Sequence, residues 1–201
     1  MLSSKDSLAV LRKTNALLEG HFVLSSGLHS TKYVQCAKLL SFPQKSKKIC
    51  VSLSKKIKKK FKSIDLILSP AMGGIVIGYE IGRLLNRETI FCERVKKKFT
   101  LRRGFFIKKN KKVLIVEDVI TTGKSSLECV KLIKKFKAKI IGFACIIDRS
   151  NKNKLKINKN KILSQVKINV PTYNKKKLPE FLKKIPTISP GSRNLKWLNL
   201  V

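Results

Sequence analysis

The pattern of apolar and polar residues along the chain predicts helices that alternate with short strands. Five segments have the character of helices, several of them with apolar residues at steps of three or four: residues 1–20, 41–61, 73–86, 125–136 and 178–186. Short apolar runs predict strands in residues 64–70, 88–95, 103–107, 111–119, 139–148 and 162–170. This alternation predicts an α/β fold with a mostly parallel central sheet flanked by helices.

Three of the predicted helices carry a defined apolar stripe. The stripes are formed by Leu8, Leu11 and Leu18, by Ile49, Leu53, Ile57 and Phe61, and by Leu127, Val130 and Ile133. Such a stripe is the face with which a helix packs on a sheet. Between the elements, residues 21–40 predict a small β-rich or irregular cap, residues 96–103 a charged connection, and residues 151–161 a solvated loop rich in lysine and asparagine.

Three of the predicted strands end in residues that could bind a ligand or take part in a reaction. Residues 69–74 (SPAMGG) end one strand, Glu117 and Asp118 lie at the end of another, and Asp148 and Arg149 end a third. In open α/β sheets, ligands bind at the carboxyl ends of the parallel strands. The sequence therefore predicts that these three segments converge on one binding site.

The segment VLIVEDVITTGKSS, residues 113–126, is the most informative of the three. It is not a P-loop, because that motif needs glycine where this chain has Asp118, and an acid there would repel a triphosphate. Unpaired N–H groups of residues 121–125 at a helix start, together with the helix dipole, make a site for a monophosphate. The hydroxyl groups of Thr121, Thr122, Ser125 and Ser126 are further donors.

Glu117 and Asp118 lie directly before this phosphate turn. Carboxylates are poor phosphate ligands, but they accept hydrogen bonds from sugar hydroxyl groups. A phosphate site next to acceptors for a diol describes the binding of a ribose 5-phosphate. The alternative interpretation is a strand with surface acids followed by a capped helix.

The net charge of +35, from 46 basic and 11 acidic residues, raises nucleic-acid binding as an alternative function. Only eight of the basic residues are arginine, and the lysines are spread over the whole chain. No basic tract interleaved with aromatic residues is present. The charge is therefore more typical of a compositional bias, although it would raise the local concentration of any anionic substrate.

Length and cysteine content indicate the class of protein. A chain of 201 residues is most simply one domain. Its five cysteines are widely scattered without a C-x-x-C pair, which argues against a disulfide framework and a structural zinc site. We expect reduced, mostly buried thiols in a cytoplasmic protein, with neither a secretory signal nor a membrane span.

Several segments resemble known families. Residues 113–126 resemble the signature of type I phosphoribosyltransferases, in which an acid pair precedes a T-T-G-type phosphate loop. Four further segments resemble the orotate phosphoribosyltransferase family and occur in the family's order: GHFVLSSGLHSTKYVQ (20–35), SPAMGGIVIGYEIG (69–82), ERVKKKFTLRRGF (93–105) and IPTISPGSR (185–193). The alternatives are another type I phosphoribosyltransferase, such as a purine-base enzyme, or a regulator that retains the fold.

The resemblance implies a reaction, a fold and partners. The reaction transfers ribose 5-phosphate from 5-phosphoribosyl 1-pyrophosphate (PRPP) to orotate and forms orotidine 5′-monophosphate and pyrophosphate in pyrimidine (UMP) biosynthesis. Mg²⁺ is implied as the cofactor, bound mainly through PRPP and not directly by the protein. The fold implied is one type I phosphoribosyltransferase domain over residues 1–201, with a small N-terminal hood (about 1–40, plus the C-terminal tail) and a core of about 41–170. A homodimer that shares a mobile loop between subunits is implied as well.

The resemblance also assigns roles to individual positions. The residues that match the PRPP-binding loop are Glu117, Asp118, Val119, Ile120, Thr121, Thr122, Gly123, Lys124 and Ser125. Those that match the orotate contacts are Thr121, Arg149, Tyr33 and Val34. Arg94 matches the arginine that opens the mobile loop, and Lys96, Lys97 and Lys98 are candidates for its PRPP-binding lysines. The catalytic candidates are Asp118, Glu117, Arg94 and Lys97.

Three positions depart from the family pattern. Ser25 replaces a lysine common in the hood, and Met72 and Gly73 replace an aromatic-lysine pair after the first core strand. The loop lacks the histidine found in several members, because the chain's two histidines are His21 and His29. His29 is either a substitute for that histidine or a structural or surface residue, and the latter is the favoured interpretation.

Overall fold

The computed structural model describes residues 1–24, 26–151 and 154–190. Ser25, one of the departures named above, and residues 191–193 of the terminal motif lie outside these ranges. The helices are α1 (Ser4–Lys13), α2 (Cys36–Leu40), α3 (Pro43–Lys60), α4 (Gly73–Leu85), α5 (Lys124–Lys135) and α6 (Glu180–Lys183). In the described ranges, none of them has the length and apolar character needed to cross a bilayer.

Ten strands are present in the described part of the chain. They are β1 (Leu17–Val23), β2 (His29–Val34), β3 (Leu66–Pro70), β4 (Glu88–Val95), β5 (Lys98–Thr100), β6 (Lys112–Ile120), β7 (Lys139–Asp148), β8 (Ile162–Lys167), β9 (Thr172–Tyr173) and β10 (Thr187–Ile188). Two short 3₁₀ turns cover Lys159–Lys161 and Lys175–Lys177.

The strands form two sheets. The central sheet has six strands in the order β5-β4-β3-β6-β7-β8, all pairs parallel except the antiparallel β4–β5 edge. The second sheet has the order β10-β1-β2-β9 and therefore joins strands from both ends of the described chain. The predicted α/β fold with a mostly parallel central sheet is confirmed, and the hairpin of β1 and β2 from the N-terminal region forms the centre of the second sheet.

The central sheet is buried on both faces because its side chains alternate between two apolar cores. In β3, Ile67 packs with the core beneath α1, α2, α3 and α4, whereas Leu66 and Leu68 face the core beneath α5. In β6, Leu114 and Val116 follow the first pattern and Val113 and Ile115 the second. Strands buried on both faces have continuous apolar sequences, and this is why they could be predicted.

Two predicted elements were wrong, the first of them only in part. The first helix ends at Lys13, the chain turns at Asn15 with a φ of 54°, and Leu18 lies on β1 opposite Tyr33. Residues 103–107 are not a strand, because Arg103 and Gly104 both have positive φ values, 59° and 72°. A strand never places two consecutive residues in the left-handed region.

The strands β9 and β10 were missed, because each has only two residues and no apolar run. Both are ordered by pairing with the long hairpin of β1 and β2. Their position in the sheet is therefore a tertiary effect that local sequence does not encode.

Candidate active site

The carboxyl ends of β3, β6 and β7 lie side by side, because β3 pairs with β6 and β6 with β7 in parallel. The backbone N–H of Arg149 donates to the Ile120 carbonyl at 3.0 Å, which fixes the end of β7 against the end of β6. A Cβ atom at Gly73 would lie 2.8 Å from Asp118 Oδ2, so the start of α4 touches the end of β6. The predicted convergence of the three strand ends is confirmed.

Asp118 is half-buried at this meeting point. Its Oδ1 accepts a hydrogen bond from the Val119 N–H at 2.8 Å, and burial raises the pKa of its carboxyl group. Gly73 is one of the departures from the family pattern, and its lack of a side chain lets the carboxylate approach the start of α4. Met72, the other departure at this turn, is 83% exposed and follows a cis peptide bond after Ala71.

Glu117 is buried, 7% exposed, and its Oε1 accepts a hydrogen bond from the hydroxyl group of Ser126 on α5. Burial raises the pKa of Glu117 to about 7, and this hydrogen bond opposes the rise. The expectation that the Ser126 hydroxyl is available to a phosphate was therefore wrong. It points inward, and the buried face of α5 is formed by Ser126, Cys129, Leu132 and Ile133, with Leu127 and Val130 only half-buried.

Replacing Glu117 with glutamine is expected to change the pH dependence of stability. Since the folded pKa of Glu117 lies above the ordinary glutamate value of 4.5, the folded state binds a proton more readily than the unfolded chain. The free energy of unfolding of the wild type then falls as pH rises from about 4.5 to about 7, and neutral glutamine removes this loss. At pH 8 Glu117→Gln should be more stable by about 2–3 kcal/mol, against little difference at pH 4.

Chemical denaturation of both proteins across this pH range measures the effect. Glu88→Gln at the exposed start of β4 is the matched control and should follow the wild-type curve. A Glu117→Gln variant with the same pH dependence as the wild type would contradict the assignment of Glu117 as a carboxyl group destabilised by burial.

The predicted phosphate turn leads into α5. Gly123 is the N-cap residue with a φ of 68°, and no side chain caps the helix start. The left-handed conformation and the closeness of Ile157, whose Cγ1 would lie 2.8 Å from an added Cβ, both require glycine there. Lys124 N–H makes only a long contact, 3.4 Å, with Thr122 Oγ1. This helix start is thus suited to bind an anion.

Residues 154–157 lie against the phosphate turn. The sequence did not predict this contact. The N–H of Lys156 donates to the Thr122 carbonyl at 2.8 Å, and Leu155 and Ile157 are half-buried, with Ile157 packed on Gly123. The prediction of a fully solvated loop over residues 151–161 was therefore wrong for this part. The only signal in the sequence was the pair of apolar residues, Leu155 and Ile157, among the lysines.

Arg149 and Tyr33 lie close together on the β7 side of the site, away from the phosphate turn. Arg149 is half-buried at the end of β7, and burial lowers the pKa of its guanidinium group, an effect that Tyr33 opposes. Burial also raises the pKa of Tyr33, and the Arg149 charge opposes that rise. Tyr33 lies on β2 beside Val34, which is buried. Two predicted base contacts from distant parts of the sequence are thus neighbours.

Arg149 is a half-buried cation that forms no ion pair with the described part of the chain. Within the described ranges, no carboxylate lies within 4.0 Å of its guanidinium group. A surface ion pair between Arg149 and a neighbouring acid is therefore not observed among these residues. Asp148, the adjacent acid, instead accepts the backbone N–H of Ser150 at 2.8 Å.

The predicted mobile loop begins as a β-hairpin. Lys96 and Lys97 form its two-residue turn, with φ values of 46° and 65°, and Lys98 pairs with Val95 on the first strand. Turns with two positive φ values are normally signalled by Asn-Gly, and Lys-Lys gives no such signal. The charged connection predicted over residues 96–103 thus begins with a hairpin turn and β5, which the sequence did not predict.

Arg94 lies in this hairpin and is held by three contacts. Its Nη1 is 2.6 Å from Glu128 Oε2 on α5 and donates to the Lys97 carbonyl at 3.1 Å, and the guanidinium group stacks on Phe99 at 4.1 Å. Lys96, Lys97 and Lys98 are all exposed. Arg94 is thus connected to the helix that begins at the phosphate turn, and the lysines extend beyond it.

The two histidines belong to the second sheet and not to the hairpin. His21 Nε2 and His29 Nδ1 are 2.7 Å apart, and both side chains are buried. His21 Nδ1 lies 3.1 Å from the Ile185 carbonyl and donates to it. This agrees with the structural interpretation of His29.

Comparison with known proteins identifies the family of this chain. A family model described as a phosphoribosyl transferase domain matches residues 42–176. An orotate phosphoribosyltransferase from Parvibaculum lavamentivorans is 45% identical over 184 residues, which are 91% of this chain and 94% of that protein.

Two solved structures share the fold at low identity. Orotate phosphoribosyltransferase from Aeropyrum pernix has a TM-score of 0.65 and 20% identity, covering 80% of this chain and 92% of that one. Adenine phosphoribosyltransferase from Thermoanaerobacter pseudethanolicus has a TM-score of 0.58 and 17% identity, covering 68% and 88%. The fold alone therefore does not identify which base a protein uses as substrate. The family model identifies a phosphoribosyl transferase domain, and the 45% identical relative narrows this to orotate phosphoribosyltransferases. The chain belongs to the orotate phosphoribosyltransferase family, within the type I phosphoribosyltransferases.

Proposed function

We propose that the protein catalyses the transfer of ribose 5-phosphate from PRPP to orotate, forming orotidine 5′-monophosphate and pyrophosphate. The observation that supports this most directly is that the site at the carboxyl ends of β3, β6 and β7 has two sides with different chemistry. On one side, Glu117 and Asp118 precede an uncapped helix start, and on the other the half-buried Arg149 lies beside Tyr33. The name of the 45% identical relative supports the same reaction.

The PRPP half of the site follows from the geometry of β6 and α5. We assign the 5-phosphate to the turn of Thr121, Thr122, Gly123, Lys124 and Ser125, where backbone N–H groups and the helix dipole favour an anion. The ribose hydroxyl groups then face Asp118 and Glu117. Departure of pyrophosphate leaves positive charge on the anomeric carbon, and a nearby carboxylate stabilises that charge in the transition state.

Mg²⁺ is the cofactor that this chemistry requires, since it binds diphosphates together with one or two carboxylates. Within the described ranges, no cluster of three or more His, Cys, Asp or Glu side chains could hold a metal on its own. No described residue is therefore assigned as a direct ligand, and the ion is proposed to bind mainly through the oxygen atoms of PRPP, which are the ligand type that Mg²⁺ prefers. When bound, the ion would neutralise charge on the departing pyrophosphate.

The orotate half of the site is formed by Arg149, Tyr33, Val34 and Thr121. A planar guanidinium group can hold a carboxylate or a ring carbonyl through two parallel donors. Orotate carries such a carboxylate next to its reacting nitrogen, and a half-buried cation without a local acid is suited to receive it. The acidity of the ring nitrogen lowers the demand for a general base, so the reaction relies on electrostatics.

The hairpin is assigned to the pyrophosphate. Replacing Arg94 with alanine should lower kcat by about tenfold or more and change the KM for PRPP less than about threefold, because its charge is needed most as pyrophosphate leaves. Arg12→Ala on α1, which also removes an arginine paired with a glutamate, is the control and should leave both constants unchanged.

Lys96, Lys97 and Lys98 are expected to be partly redundant because they are adjacent and exposed. The triple alanine variant should lose more activity than any single alanine variant, measured as kcat at saturating substrates. Full activity of the triple variant would mean that these lysines are only solvated residues of the turn and that the hairpin does not act as the mobile loop that contacts PRPP.

We also propose a single domain over residues 1–201 that assembles as a homodimer in the cytoplasm. Met72, Val76 and Tyr79 form an exposed apolar row beside the site, 83%, 53% and 67% exposed, which is the kind of surface that a second subunit covers. The cysteines of the described chain are free and buried, as expected in a reducing compartment. Sedimentation of the purified protein tests the dimer, and a monomer at assay concentration would contradict it.

The direct test is incubation with orotate, PRPP and Mg²⁺ while orotate absorbance is followed. We expect loss of orotate that depends on PRPP and stops when Mg²⁺ is chelated. Adenine, hypoxanthine and guanine in place of orotate separate this function from a purine-base enzyme. A salt-dependent gel shift tests the nucleic-acid alternative. Activity with a purine base but none with orotate would overturn the proposal.

A further inference from the structure

Ser126 connects α5 to the end of β6 through a contact that solvent does not reach. It is the third residue of α5, its side chain is 0% exposed, and its hydroxyl group donates to Glu117 Oε1. A serine side chain buried in a helix commonly bonds back to its own helix, as Ser54 does to the Val51 carbonyl. Ser126 instead reaches across to a carboxylate on the neighbouring strand.

In the described part of the chain, Glu117 has no side-chain hydrogen-bond donor other than Ser126. Within the described ranges, Ser126 is the one side chain that donates a hydrogen bond to it, and no lysine, arginine or histidine lies within 4.0 Å. The titratable groups that face it are Asp118 on the same strand, Cys129 on α5 and Cys145 opposite on β7. None of these carries positive charge, so the hydroxyl group alone favours the carboxylate form.

A buried carboxyl group with one donor is sensitive to that donor. Without solvent, a hydrogen bond to a charged group is stronger than at the surface, and losing it leaves a buried acceptor unpaired. The bond also occupies one carboxylate oxygen in a fixed direction, so the orientation of the other oxygen is set by α5. Movement of the phosphate turn at the start of α5 would therefore be transmitted to Glu117.

We propose that Ser126 is a positioning residue that holds Glu117 as an oriented carboxylate beside the ribose, so that phosphate binding at the start of α5 and ribose recognition at the end of β6 are mechanically linked. This rests on the proposed function, because it assigns the ribose of PRPP to Glu117. Ser126 itself does not touch the substrate. Its role is to define the protonation state and direction of a residue that does.

The first test compares pH profiles of kcat for the wild type, Ser126→Ala and Ser126→Cys. Loss of the hydroxyl group should favour protonated Glu117, so Ser126→Ala should lose about tenfold in kcat at pH 7 and less than about threefold at pH 9. Ser126→Cys keeps the size and a weak donor and should be intermediate. Ser54→Ala on α3, another buried serine, is the control and should follow the wild type.

The second test repeats Ser126→Ala in a Glu117→Gln background. Because the proposed effect acts through the Glu117 charge, the serine change should then have less than about a twofold further effect. A loss of the same size in both backgrounds, or a loss equal at every pH, would show that Ser126 only supports packing and would overturn the proposal.

The third test needs no substrate and separates this inference from the proposed function. Carbon NMR of the glutamate-labelled free protein, with the Glu117 signal assigned from Glu117→Gln, follows its titration directly. We expect a midpoint near 7 in the wild type and a higher midpoint in Ser126→Ala. An unchanged midpoint overturns the role of Ser126, whereas a moved midpoint in a protein inactive towards orotate would overturn the proposed function alone.

Discussion

Replacing Asp118 with asparagine is expected to lower kcat by about 10²–10³-fold while the fold is retained. Asparagine has nearly the same shape, keeps an oxygen for the Val119 N–H, and fits the space that Gly73 leaves open. What it lacks is the negative charge. We expect that charge, in its half-buried position, to stabilise the positive ribose of the transition state more strongly than it would in water.

The control for this variant is Asp65→Asn, at the amino ends of the parallel strands and therefore at the opposite end of the sheet from the site. Asp65 also accepts a backbone N–H, that of Lys112 at 2.8 Å, but it lies before the start of β3. We expect its kcat within about twofold of the wild type, as is usual for a change that touches neither substrate nor core. An Asp118→Asn enzyme within threefold of wild-type kcat would remove the electrostatic role of Asp118.

The pH dependence of the wild type gives a second measurement. Burial raises the pKa of Asp118, and with it the pH below which the carboxylate is lost. The acidic limb of the wild-type kcat profile should therefore reflect protonation of the acid pair, Asp118 together with Glu117. In Asp118→Asn, the part of this limb that belongs to Asp118 should disappear, and the part that belongs to Glu117 should remain.

Replacing Arg149 with lysine is expected to lower kcat/KM for orotate by about tenfold or more, a loss near 1.4 kcal/mol. Lysine keeps the charge but cannot offer two parallel donors in one plane. The KM for PRPP should change less than about threefold, because PRPP is assigned to the other side of the site. The comparison of the two substrates is therefore the decisive measurement.

Two further measurements make this prediction specific. Arg149→Ala should lose more than Arg149→Lys, and the preference for orotate over uracil should fall in both, since uracil lacks the carboxylate. Arg87→Lys is the matched control, because Arg87 is exposed beyond α4 and its side chain donates to the Asn86 carbonyl, away from the strand ends. Equal losses for orotate and PRPP in Arg149→Lys would mean that the whole end of β7 was damaged and that Arg149 does not recognise the base.

Several errors of sequence interpretation share one physical cause, which is that a contact with a distant segment outweighs the local pattern. The apolar pattern of α5 pointed to Leu127 and Val130, but the buried face includes the polar Ser126 because Glu117 on another element accepts a hydrogen bond from its hydroxyl group. Leu18 continued a helical stripe in the sequence, yet pairing with Tyr33 makes it part of a strand. Lys96 and Lys97 form a hairpin turn because the strands on either side pair.

The sequence by itself determined the parts of this protein that depend on local chemistry and on strongly apolar segments. The central strands β3, β6 and β7 contain continuous apolar runs, because strands buried on both faces of a sheet need apolar residues at successive positions. The acid pair and the phosphate turn are contiguous in the chain, so spacing alone predicted a ribose-phosphate site at the end of β6.

Only the tertiary structure decided what depends on segments far apart in the chain. It placed Tyr33 of the second sheet beside Arg149, joined Arg94 to Glu128, and packed Ile157 against Gly123. It also raised the pKa of Glu117 to about 7, because burial beneath α5 is a property of packing and not of the residue. Such contacts form when elements assembled by the apolar cores bring side chains together, and no local pattern records them.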